Sequence, residues 1–214
     1  MNKTTLTTLP AALALALTLG ACGGGDDPVP GPGPGPQPQP VVGPFITDCF
    51  KVDKAVTFAM TALNVPSGYV AANKSITKPT TYKGEAVTGQ TRFYPTGSTS
   101  YTWTDYWAVT DSDVTIIASE DSEGNVLSDK IIYPKNMQPY DVTNNASKTV
   151  YYKFVGFEKL ILPKKIFSNA CHVSGTTADG SATEEAWYAA GYGLIKHISS
   201  TNVTTQYDGD LPNP

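Results

Sequence analysis

From residue 45 onward, apolar and polar residues alternate in short runs rather than recurring every three to four positions. No window holds a period of 3.6 over twelve residues, so amphipathic helices are not expected. Thr, Val, Tyr, Ile and Ser dominate, and their branched or ring side chains suit a pleated surface. Runs bounded by Gly, Pro, Asn and Asp predict strands at 55–60, 82–94, 100–109, 114–119, 126–133, 149–155, 157–162, 166–174, 183–189 and 194–200. Asp121-Ser122-Glu123-Gly124-Asn125 reads as a hairpin turn, and so does Thr176–Gly180 with its closing Asp179-Gly180. Hairpins in succession make an antiparallel meander.

Alternation also says what each face meets. Val114, Ile116 and Ala118 share a face, opposite Thr115, Ile117 and Ser119. Phe167, Cys171 and Val173 share another, and His172 points away from them. Several strands carry bulk on both faces: Trp103 and Trp107 against Tyr106, Phe154 and Tyr152 against Tyr151, Trp187 against Tyr188. A sheet with one wet face has no use for aromatics on both. The expected fold is therefore all-β, a single antiparallel meander curled into an open half-barrel around an apolar concavity. A two-layer β-sandwich is the alternative. Burial of these rings, at about 25 cal/mol per Å², is the chief stabilising contribution.

The first 44 residues are of another kind. Lys3 precedes an apolar run, Ala11–Leu19, too short for the ~20 residues of a spanning helix and close to a secretory signal. It ends Leu19-Gly20-Ala21-Cys22, which resembles the lipobox of bacterial lipoproteins. The resemblance implies cleavage before Cys22, a diacylglycerol thioether on its thiol and acylation of the new amino terminus. Residues 1–21 are then a lipoprotein signal peptide, 22–44 a lipidated start with a Gly/Pro-rich tether, and 45–214 the antiparallel β domain. One acyl chain holds a protein to a bilayer marginally, and two or more hold it firmly. Gly23 stands where an aspartate would signal inner-membrane retention; by resemblance to Gram-negative sorting patterns it implies the outer membrane, with the domain in the periplasm. From Pro28 to Pro40 proline fills every second position, which forbids helix and sheet and leaves an extended spacer.

With Cys22 lipidated, Cys49 and Cys171 remain, and in an oxidising periplasm the two are expected to pair.

Composition narrows the function. Lys+Arg number 15 against 19 Asp+Glu, and Arg92 is the only arginine, a poor balance for nucleic acid. Two histidines and three cysteines supply few ligands, so no metal or cofactor is expected. No nucleophile-elbow, zinc-protease, dithiol or phosphate-loop motif is present, and no catalytic residue is assigned. Asp111 and Asp113, Asp121 and Glu123, and Asp208 and Asp210 read as turn acids without a calcium shell. Asp105 interrupts an aromatic face between Trp103 and Trp107, as a bulge or an exposed edge would allow. Parity puts His197 with Ile195 and His172 away from Phe167. On strands near each other in the meander the two histidines could form a metal site or a general base, and surface or hydrogen-bonded sheet histidines are the simpler reading.

Three stretches carry a further likeness: Phe154-Val155-Gly156-Phe157-Glu158-Lys159-Leu160-Ile161-Leu162-Pro163; Phe167 with Asn169-Ala170-Cys171-His172-Val173; and Glu184-Glu185-Ala186-Trp187-Tyr188-Ala189-Ala190-Gly191-Tyr192-Gly193-Leu194-Ile195-Lys196. They are similar to the C-terminal half of a broad set of uncharacterised Gram-negative envelope proteins with a W-Y-A-x-G-x-G-x-V-K motif. Tyr192 and Ile195 depart from that pattern. The resemblance implies an open half-barrel related in shape to periplasmic lipoprotein carriers. The residues themselves say that Gly191 and Gly193 allow positive φ and close strand approach, that Trp187 and Tyr188 can plug two faces, and that Lys196 can sit at a rim.

The expected function is that of an outer-membrane-anchored, non-enzymatic, monomeric lipoprotein. It would bind an apolar small molecule or an envelope protein through Trp103, Trp107, Trp187, Tyr188 and Lys196. A structural or adhesive sandwich module is one alternative, and a hydrolase built on His172 or His197 with a nearby acid is another.

Overall fold

The computed structural model describes residues 44–96, 99–126 and 130–212. The expected signal peptide, Cys22 and the tether up to residue 43 lie outside them. One short helix, α1 (Ile46–Cys49), precedes twelve strands: β1 (Val56–Leu63), β2 (Lys74–Tyr82), β3 (Glu85–Thr96), β4 (Thr99–Val109), β5 (Asp113–Asp121), β6 (Ile131–Pro134), β7 (Val142–Asn144), β8 (Val150–Leu162), β9 (Lys165–Thr177), β10 (Thr183–Ala189), β11 (Gly193–Ile198) and β12 (Thr204–Leu211). They form one antiparallel sheet in the order β6-β5-β4-β3-β2-β1-β12-β11-β10-β9-β8-β7. Chain neighbours lie side by side, and β1 pairs with β12 to carry the sheet round. A single bridge from Ile131 to Asn145 joins the two end strands. The result is an all-β meander that curls past a half-barrel to near closure, with one unsealed seam between β6 and β7. There is one sheet, not two layers.

Three strands escaped the sequence pattern. β2 contains Pro79, which reads as a break; its ladder with β1 stops at Thr77, so the proline sits where the sheet is free on one side, a place that tolerates it. β12 is polar and carries Gly209 at φ +117, where its register against β1 shifts. β7 has only three residues. Conversely, the two expected strands at 149–155 and 157–162 are one. Gly156, at φ +144, absorbs a bulge without ending the pairing with β9.

Two cores result, and β10 is the wall between them. Tyr188 belongs to the first core, where α1 brings Ile46, Cys49 and Phe50 against Trp107, Val114, Tyr133, Phe154 and Val173. Trp187, on the opposite face, belongs to the second, with Phe58, Leu160, Leu162, Phe167, Ile195 and Tyr207. The second core exists because the sheet splits. β11 pairs with β12 only over Lys196–Ile198. Before that, the chain is drawn toward β2 and β3: Thr77 donates to the Tyr192 carbonyl at 2.7 Å, and Gln90 bonds both backbone groups of Leu194. The tip of the β8–β9 hairpin packs into the split. Lys165 bonds the Tyr192 hydroxyl and lies 3.8 Å from Asp210, and the Phe167 ring meets those of Tyr192 and Tyr207 edge-on.

Candidate functional site

The barrel interior is closed at one end. Phe50, fully buried, stacks on Tyr188 at 4.4 Å and on Tyr133 at 5.9 Å. Its carbonyl accepts the Trp107 indole N–H at 2.9 Å. A disulfide joins Cys49, at the end of α1, to Cys171 on β9 across 122 residues. Gln90 braces the same end from β3: its amide bonds the Ser75 hydroxyl and the Leu194 backbone. That brace explains Gly193, where a Cβ would lie 2.7 Å from the Gln90 Oε1 and 3.0 Å from the Trp107 ring.

Beyond this plug lies a cavity of about 740 Å³, within the range of small-molecule sites. Trp107 and Tyr188 form its floor beside the plug. Trp103, Asp105 and Arg92 lie farther along their strands from the plug, and so do Glu184 and His197 on theirs. Exposure rises in that direction. The side chains of Arg92 and Asp105 are 13% and 21% exposed, whereas that of Glu184 is 48% exposed. The cavity therefore has a mouth, and its charges stand there.

Those charges are paired. The Arg92 guanidinium donates through Nη2 to Asp105 Oδ2 at 2.6 Å. The other oxygen of Asp105 accepts the Trp103 indole N–H at 3.0 Å and the Ser119 hydroxyl at 2.5 Å. Burial alone would lower the Arg92 pKa; the attraction and hydrogen bond of Asp105, together with the neighbouring Tyr94 and Tyr188 phenols, outweigh it and drive the value upward, so the guanidinium stays charged. Across the mouth, His197 Nε2 lies 3.0 Å from Glu184 Oε2, and this hydrogen bond holds the Glu184 carboxyl below its ordinary range against the opposing effect of burial. Burial also raises the Tyr188 phenol, which stays neutral.

Asp105 thus sits neither at a bulge of its own strand nor on an exposed edge. It points into the barrel and neutralises the only arginine. Ser119 reaches it because β5 carries one extra residue, Ile117, between the partners of Tyr106 and Trp107. That bulge puts Ser119 on the cavity side with Ile116, contrary to strict alternation.

Of the expected contact residues, Trp103, Trp107 and Tyr188 line the cavity together. Trp187 and Lys196 lie on the other face of the wall, where the Lys196 ammonium sits 4.3 Å over the Trp187 ring. The histidines separate likewise. His172 stacks on Trp187 at 4.2 Å and bonds Glu185 at 2.6 Å, on the second-core side, whereas His197 lines the cavity. No two-histidine site forms. Bulges again overturn parity. Two residues of β9, 168 and 169, oppose one of β8, which brings Phe167 to the face of His172. Ile195 is an extra residue between the partners of Trp187 and Tyr188, so it joins the second core and not His197.

Chemically, the arrangement offers aromatic faces, paired charges and amide or hydroxyl groups around an enclosed space. Among the described residues neither histidine is bonded to a serine, threonine or cysteine; each meets carboxylates. No three His, Cys, Asp or Glu side chains among the described residues converge as a metal site requires. Sequence reasoning missed Arg92, Glu184 and Gln90. The available signals were a lone arginine and a single acid at the centre of Trp-x-Asp-x-Trp.

The fold and the cavity define a plugged, nearly closed antiparallel barrel with a charged mouth. Comparison of the chain with protein-family models, with curated proteins and with solved structures gives no match.

Proposed function

We propose that this is a non-enzymatic binding protein that holds a small molecule inside its barrel, carried on a lipid anchor at Cys22 at the outer membrane. The observation that carries the reading is the 740 Å³ space, plugged at one end and open at the other. A purely structural module would fill such a volume, because each unfilled space forfeits dispersion contacts. The ligand is amphipathic and not simply apolar, since Arg92, Asp105, Glu184 and His197 share the lining with the aromatics. A hydrolase is the weaker reading, because the carboxylate-bound histidines have no nucleophile beside them among the described residues.

Native mass spectrometry of the full chain, extracted in mild detergent, tests the binding. The expected result is a bound small molecule in the wild type and none in Ala186→Trp, which fills the middle of the cavity. Bare protein mass in both would overturn the reading. Incorporation of labelled palmitate into the wild type and not into Cys22→Ala tests the anchor.

A further inference from the structure

We propose that the ligand is a sugar: a neutral, polyhydroxylated ring, free or at the end of a glycan, seated in the mouth with one face on Trp103. This rests on the cavity-binding reading above and names its chemistry.

The mouth asks for donors and acceptors at once. A guanidinium has five N–H donors. Among the described residues Arg92 uses one, through Nη2 to Asp105, and its Nε is buried without a partner. Glu184 engages Oε2 with His197, and Oε1 makes no bond among the described residues. A hydroxyl can accept from the first group and donate to the second. An alkyl chain can do neither, and would leave the buried Arg92 Nε unpaired.

Charge excludes the ionic alternatives. The lining holds Arg92 against Asp105 and Glu184, and no lysine. A carboxylate or phosphate would meet two acids with one arginine already committed to Asp105. An ammonium ligand would lie against the Arg92 guanidinium. A neutral ligand avoids both repulsions.

Trp103 supplies the remaining element. Its indole N–H is tied to Asp105, which holds the ring in place, and the residue lines the cavity. A fixed aromatic plane flanked by planar polar side chains matches a sugar ring, whose C–H face is apolar and whose edge carries hydroxyls.

Intrinsic fluorescence and calorimetric titration of the full chain in detergent micelles test the proposal. The probes are methyl glycosides of glucose, galactose and N-acetylglucosamine, their α- and β-linked disaccharides, a set of soluble polysaccharides, palmitate and choline. We expect saturable binding of at least one saccharide. Trp103→Ala should weaken it by about tenfold or more, Trp103→Phe should retain it within about threefold, and Trp187→Phe should leave it unchanged. Competition by polysaccharide places the ligand at a chain end; competition by free sugars alone places it in solution. Binding of palmitate or choline with no saccharide bound would overturn the sugar assignment while sustaining the cavity reading. Silence from every probe, with no bound molecule in the wild type by native mass spectrometry, would overturn both.

Discussion

The two sides of β10 are equally aromatic and differently used. On one side Tyr188, Trp107 and Trp103 border an open volume with four charged or titratable groups at its mouth. On the other, Trp187, Phe167, Tyr192 and Tyr207 interlock with Phe58 and the tip of the β8–β9 hairpin, while Lys165 and Asp210, Lys196 and the His172–Glu185 pair border the rings. Aromatic bulk on both faces of a strand therefore has two physical origins here. One face is covered by the chain's own hairpin; the other is covered by Phe50 of the plug at one end and, toward the mouth, by nothing the described residues supply. The packed side and the plug account for stability, and the volume beyond the plug is free for a ligand.

That contrast can be broken in several places. The largest effect is expected from the staple that holds the plug. Replacing Cys49 and Cys171 by alanine releases a 122-residue separation, for which loop entropy implies a loss of roughly 4–5 kcal/mol. Urea unfolding measures it, and a loss below about 1 kcal/mol would mean that the plug stands without the bond. Next, Phe167→Ala should cost about 3–5 kcal/mol, as buried ring deletions do, and leave ligand binding intact. Trp103→Ala, by contrast, should cost under about 1 kcal/mol, within the range of partly exposed sites, and weaken binding about tenfold or more. Equal stability losses in the two would erase the distinction between the sides.

Asp105→Ala should cost about 2–3 kcal/mol, because it strands the Arg92 guanidinium in a place from which water is mostly excluded. Pairing it with Arg92→Met should return much of that loss, which chemical denaturation of the single and double variants resolves. The smallest effect concerns pH. The Glu184 carboxyl is held below its ordinary value of 4.5, so the folded state gains from it above that pH and loses the gain as pH falls through the lowered value. Glu184→Gln should therefore lower stability slightly at neutral pH, and the difference from the wild type should vanish as pH falls below 4.5 through the lowered value. A difference that persists undiminished below the lowered value would contradict the His197–Glu184 pairing.

Much of the architecture was legible because period-two alternation and turn residues are local signals. Strands such as 114–119 and 183–189, and the meander they build, follow from them. The Cys49–Cys171 pair followed from counting thiols. What alternation cannot see is a bulge. Ile117, Ile195 and the pair Ser168–Asn169 each flip everything beyond them to the other face, and so decide that Ser119 meets Asp105 and that His197 and His172 never meet. Gln90 was equally hidden, since its partner Leu194 lies 104 residues away, across the interior. Trp187 and Lys196 read as cavity residues because the sequence gives faces but not which space each face bounds.

The unequal filling of the two sides can be measured directly by adding volume to each. Ala186 lines the cavity, and Ala170 is fully buried in the packed core. Ala186→Trp should change the free energy of unfolding by less than about 1 kcal/mol, whereas Ala170→Trp should cost about 1–3 kcal/mol or more by overpacking. Equal and large losses at both positions would mean that no space exists inside the barrel to hold a ligand.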